Sequence, residues 1–77
     1  MEAVIVGGVY EHVKTQTRYR VIAIAKDTKN LEDFVIYEAL YDNPVSKVWV
    51  RPKESFIGEA KSPDGTFHPR FRLVTES

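Results

Sequence analysis

The chain has 77 residues, 11 basic and 11 acidic side chains that cancel, and no cysteine. That length supports a single small domain, residues 1–77, whose thin core buries roughly 60–65% of the unfolded surface. Disulfides and thiolate metal sites are excluded, and net neutrality speaks against a dedicated nucleic-acid binder with a strongly basic footprint.

Met1 to Val6 is a short apolar run with an acid, Glu2, where a signal peptide needs a base. No segment approaches the ~20 apolar residues of a membrane-spanning helix. A cytoplasmic protein with no membrane partner is the expectation, and the missing cysteine fits a reducing compartment. Four Phe, four Tyr and one Trp carry much of the burial.

In chain order, Gly7-Gly8 opens a first strand, Val9 to Val13, with Tyr10, His12 and Lys14 on one side. Thr15-Gln16-Thr17 is a polar turn. Arg18 to Lys26 is the clearest strand, and its second half, Val21 to Ala25, is apolar on both faces, as a central strand would be. Asp27 to Glu32 is a loop. Phe34 to Tyr41 is a second long strand, with Phe34, Ile36, Glu38 and Leu40 alternating against Val35, Tyr37, Ala39 and Tyr41. Arg20 is the partner available to Glu38 in a hairpin. Asp42-Asn43-Pro44 ends the strand.

Val48 to Arg51 is a short strand that Pro52 must stop or hold at an edge. Pro52 to Phe56 reads as one helical turn with proline at its first position. Phe56 to Ala60 extends again, Ser62-Pro63-Asp64-Gly65-Thr66 is a turn, and Pro69 to Thr75 is the last strand. The expected fold is all-β: a small SH3-like, strongly bent, five- to six-stranded antiparallel barrel with one short helical turn, because curling shortens exposed edges. The expected core is Val21, Ile22, Ile24, Val35, Ile36, Leu40, Val48, Phe56, Phe71 and Leu73.

Charge is unevenly distributed. Lys14, Arg18, Arg20, Lys26 and Lys29 are opposed by one acid, Asp27; Glu32, Asp33, Glu38 and Asp42 follow without a base. Adjacent strands of opposite sign are expected to meet across a ladder.

The residues that stand out chemically are Tyr10, His12, Trp49, Arg51 and Arg70. Alternation places the single tryptophan and Arg51 on one face of a strand, and Arg70-Phe71 repeats the guanidinium–aromatic pairing near the end of the chain. Such a set can stack on a planar group and hold an anion, as in a nucleotide or a nucleic-acid strand. The same residue types form protein-docking hot spots. A third arrangement puts Trp49 in the core and uses Arg51 to fasten the fold through backbone carbonyls or Glu32. Both arginines are expected near Trp49, with one on an acid of the Glu32–Glu38 segment or on an external anion.

Enzymatic and cofactor readings are weaker. Two histidines, His12 and His68, lack metal-ligand spacing, and Gly7-Gly8 does not lie between a strand and a helix as a phosphate loop would. A His12–Glu32 acid–base couple has no feature that brings it together; His12 reads instead as a partly buried ring bonded to backbone or carboxylate. The expectation is a binding module, not an enzyme, with no cofactor. Its partner is either a small anionic ligand or nucleic acid, or a protein. Ala39-Leu40-Tyr41-Asp42 matches a motif of eukaryotic SH3 peptide grooves, but it lies mid-chain and the Trp-Trp pair is missing, so coincidence explains it.

Gly8, Tyr10, His12 and Lys14; Tyr19 and Val21; Leu31-Glu32, Val35, Tyr37 and Ala39-Leu40; Trp49 to Pro52 with Phe56; and Pro69 to Phe71 form a pattern spread over about nine-tenths of the chain. In this pattern the chain resembles a family of small bacterial proteins known as domain of unknown function 1653. The chain departs from the family before Leu31, where Lys26-Asp27-Thr28-Lys29-Asn30 stands in place of a His-Ser-Glu-Thr segment. The resemblance implies a compact cytoplasmic β domain and assigns no reaction.

Overall fold

A computed structural model describes residues 4–75. The fold is predominantly antiparallel β. Seven strands occur in chain order: β1 (Val9–His12), β2 (Thr17–Lys26), β3 (Asp33–Ala39), β4 (Val48–Pro52), β5 (Glu59–Lys61), β6 (Phe67–Pro69) and β7 (Phe71–Thr75). One helix, α1 (Lys53–Ile57), lies between β4 and β5. Five strands form a sheet in the order β4-β3-β2-β1-β7, and β5 and β6 form a separate two-stranded sheet. The strands outnumber the expected five or six because the last third of the chain divides into three short ones.

The turns follow local chemistry. Asp27 and Asn30 bind the backbone N–H groups of Lys29 and Glu32, closing the β2–β3 loop with Asx-type bonds. Gly65 adopts a φ of 92° at the end of the β5–β6 turn, the left-handed position that a three-residue hairpin loop requires. Pro52 is not the first helical residue; it stays extended, with ψ 139°, as the last residue of β4, and the helix begins at Lys53. Gly58 ends the helix because a Cβ there would lie 2.8 Å from the Glu54 carbonyl oxygen.

Expected cross-strand pairing is present. Arg20 faces Glu38 in the β2–β3 register, and Lys26 bonds Asp33 at 2.6 Å. On the sheet's outer face, Glu11 is buried beneath Arg72 at 3.0 Å and Arg18 at 3.7 Å.

The core lies between the inner face of the large sheet and α1. Tyr10, Val21, Val35, Tyr37, Phe56 and Phe71 form it. Phe56 and Phe71 stack with centroids 4.2 Å apart, and Tyr10 and Tyr37 meet Phe56 edge-on at 5.2 and 5.5 Å. Of the expected core, Val21, Val35, Phe56 and Phe71 are buried, whereas Ile22, Ile24, Leu40, Val48 and Leu73 are substantially exposed and Ile36 is half-buried. For Ile36, Leu40 and Val48 the reason is that α1 covers one face only. Val35, Tyr37 and Ala39 occupy that face, so Ile36 and Leu40 point the other way. A bulge between Val21 and Ala23 further displaces the apolar half of β2.

Candidate functional site

Register assembles the site. Val21, Tyr37 and Trp49 lie in one cross-strand row, and Val35 and Arg51 in the next. All belong to the face that carries the core, so the row ends at β4 as a half-buried indole and guanidinium. From the far side of the sheet, His12 faces Phe71 across the β1–β7 pair. His12, Thr15, Tyr19, Tyr37, Asn43, Trp49, Arg51 and Phe71 thereby enclose an open cleft of about 210 Å³.

Each group is held in place. Trp49 packs against the core and donates its indole N–H to the Ser46 carbonyl at 3.0 Å. Arg51 donates to the Ser55 hydroxyl at 2.9 Å and to the Tyr37 hydroxyl at 3.4 Å, with its guanidinium carbon 5.6 Å from the Phe71 ring centre. Arg70 donates to the carbonyls of Ser55 at 3.0 Å and Glu59 at 3.4 Å. Ser55 therefore ties both arginines to α1. The expected carboxylate contact from the Glu32–Glu38 segment is not made: among the described residues neither Arg51 nor Arg70 forms an ion pair. Arg70, not Arg51, is the arginine that fastens backbone carbonyls.

His12 stacks edge-on to Phe71 at 5.0 Å, and its Nδ1 lies 3.2 Å from the Thr15 hydroxyl. Its partner is this hydroxyl, neither backbone nor Glu32; Glu32 sits beyond the opposite end of β2 and is exposed. Burial lowers the His12 pKa from its usual 6.5, and the positive charges of Arg51, Arg70, Lys14 and His68 lower it further. The positive charges around the ring thus disfavour its protonated form.

Tyr10 departs from the expected site. It is buried in the core, where its hydroxyl accepts the Ile5 N–H at 3.0 Å. Tyr19, Tyr37, Tyr41, Thr15 and Asn43 take the places that sequence reasoning did not assign. Their hydroxyls run along the rim: Thr15 to Thr17 is 2.7 Å, Thr17 to Tyr19 3.2 Å, Tyr19 to Tyr41 2.7 Å, and Asn43 Nδ2 to Tyr41 2.7 Å. Burial raises the pKa of the Tyr19 phenol above its usual 10.0. The signal for these residues was parity: Tyr19 and Tyr37 share the alternating face of Val21 and Val35.

No group of His, Asp and Glu with the proximity to hold a metal ion occurs among the described residues, and no helix there is long and apolar enough to cross a membrane. The cleft offers an aromatic wall, the Arg51 guanidinium and the His12 imidazole; Arg70 is not among its lining residues.

Comparison with known proteins accords with this architecture. No curated protein is matched. A crystal structure of a protein of the DUF1653 family from Bordetella bronchiseptica is similar, with a TM-score of 0.78 at 25% identity over 92% of this chain and 88% of that one. The family model described as "Protein of unknown function (DUF1653)" matches residues 8–73, a span that contains His12, Trp49, Arg51 and Arg70, and the chain belongs to that family.

Proposed function

We propose that the chain is a small cytoplasmic binding module, not an enzyme, and that the cleft between Trp49, Arg51 and His12 takes an anionic, planar ligand of the nucleotide or nucleic-acid type. One observation carries the reading: Arg51 meets an aromatic wall beside His12 with no carboxylate to neutralise it, and Arg70 is held nearby on the same residue, Ser55. The guanidiniums are pre-set by Ser55 and Tyr37, so anion binding orders few further rotamers. Trp49, Tyr19 and Tyr37 supply faces and edges for a flat ring.

Trp49 is the single tryptophan, so its fluorescence reports directly on the cleft. Titration with adenosine monophosphate, inorganic phosphate and a short single-stranded oligonucleotide should quench or shift it, with affinity falling steeply as salt rises. Arg51→Lys should weaken binding at least about tenfold, because an ammonium cannot reproduce the planar fork, while Lys53→Arg should be silent. A salt-independent response, or an Arg51→Lys variant that binds like the parent, would overturn the reading and favour an apolar protein-docking surface.

A further inference from the structure

Strand β4 closes one end of the five-stranded sheet, and among the described residues nothing pairs with its outer side. The bond from Ala39 N–H to the Lys47 carbonyl, 2.7 Å, fixes the parity of the ladder. Trp49 and Arg51 direct their backbone groups to Tyr37 and Val35 of β3. Leu40 N–H, which donates to Arg18 on β2 at 2.9 Å, confirms the alternation from the other side. The backbone groups of Val48 and Val50 therefore face outward, whereas the carbonyl of Pro52, the N-cap residue, opens α1.

We propose that this edge pairs with the same edge of a second copy, antiparallel, about a twofold axis at Val50. The sequence Val48-Trp49-Val50-Arg51-Pro52 is self-complementary in that register. Val50 would exchange both backbone bonds with its mate, and Val48 would lie opposite the mate's Pro52. Pro52 has no N–H to return. The carbonyl it would leave unsatisfied, that of Val48, already accepts the Ser46 hydroxyl at 2.9 Å. The Val48 N–H lies at the solvent-exposed end of the pairing and is left to water, so no backbone group is orphaned within the interface, where that would be costly.

Side chains agree with the backbone. The axis sets each Trp49 opposite the mate's Arg51, an arginine–indole pairing, and joins the exposed Val48 and Val50, 50% and 62% accessible, into one apolar stripe on the outer face. A register shifted by one, with the axis at Trp49, would set Lys47 opposite Arg51, a like-charge pair. The shift the other way, to Arg51, would set Val50 against a proline that cannot donate. Unguarded edges of this kind are templates for pairing, and closed twofold association ends the pairing at two copies.

Light scattering or sedimentation equilibrium across a concentration series should show monomer and dimer in exchange. Val50→Pro removes the central N–H without adding charge and is tolerated in an edge strand. It should raise the dimer dissociation constant at least about tenfold, with a circular dichroism melt showing that the fold survives. Val50→Lys, at an exposed position, serves as a second disrupting variant should the proline unfold the chain. Val50→Thr, which keeps branching and backbone, should self-associate like the parent. Since the chain has no cysteine, oxidation of Val50→Cys should give a covalent dimer and Val48→Cys should not, its mate across the ladder being Pro52. A parent that stays monomeric at millimolar concentration, or a dimer that persists in both Val50→Pro and Val50→Lys, would overturn the proposal. Because Trp49 and Arg51 belong both to the cleft and to the paired edge, the Trp49 titration is run below the association range, where it reads anion binding apart from pairing.

Discussion

The two faces of the five-stranded sheet are built from the same strands and do different work. On the inner face, Tyr10, Tyr37, Phe56 and Phe71 make a ring cluster that runs without a break into the Trp49–Arg51–His12 cleft. On the outer face, no helix among the described residues covers the sheet; a buried carboxylate, Glu11, is shielded by two exposed arginines, and Leu40, Val48 and Val50 are exposed. In a domain this small, a core and a site cannot be separate: the rings that hold the fold together also wall the cleft. The outer face is free of that constraint.

Substitutions in adjacent positions can break the comparison. Phe56→Ala should have the largest effect, about 3–5 kcal/mol, because Phe56 is the helix's one buried anchor and stacks on Phe71; denaturant unfolding checks it, and the cleft should lose its Trp49 response with the fold. Val35→Ala, on the fully covered inner face, should cost about 1.5–3 kcal/mol. Its half-buried neighbour Ile36→Ala should cost less despite losing more carbon. If Ile36→Ala proves the more damaging, the outer face is covered in solution, and comparison of the melts below and above the association range would show by what.

Smaller effects sharpen the contrast. Glu11→Gln should cost about 1 kcal/mol, since its arginine partners are more than half exposed and largely screened. His12 gives a pH signature confined to the inner face. Its folded pKa lies below the unfolded 6.5, through burial first and the neighbouring cations second. The unfolded chain therefore binds the proton more readily, and stability falls as pH drops from about 6.5 through the folded pKa. His12→Asn should flatten that part of the stability profile and leave stability above pH 7 nearly unchanged. The smallest effect should come from Leu31, exposed and held at φ 59° in the β2–β3 loop. Leu31→Asn should stabilise by about 0.5–1 kcal/mol, as asparagine tolerates the left-handed region better, measurable as a small rise in melting temperature.

Much of this was legible in the sequence. Period-two alternation placed Trp49 and Arg51 on one face, and turn residues located the hairpins. What alternation does not carry is which face of a strand is covered. Phe34, Ile36 and Leu40 look as apolar as Val35, Tyr37 and Ala39, and the choice was made by α1 through Phe56, whose five-residue helix has no long-range signature. The same ambiguity put Tyr10 among the expected site residues: it shares a strand face with His12, but the bulge between Val9 and Tyr10 and the ring of Phe56 draw it into the core. Arg51 and Arg70 were recognisable as a pair; that both would anchor on Ser55 depends on contacts 4 and 15 residues apart in sequence.

The row of hydroxyls along the cleft has a polarity. Asn43 Oδ1 accepts the backbone N–H of Val45 at 2.9 Å, so its amide nitrogen must be the end that donates to Tyr41. Between Tyr41 and Tyr19, at 2.7 Å, either phenol can be the donor. From the other direction Thr17 donates to Tyr19, which obliges Thr15 to donate to Thr17 and His12 Nδ1 to carry the proton toward Thr15. The two runs meet at the Tyr19–Tyr41 pair, whose two phenol protons share a single bond. One proton is therefore left over in the row, a donor at the rim of the Trp49–Arg51 cleft that an anionic guest would engage.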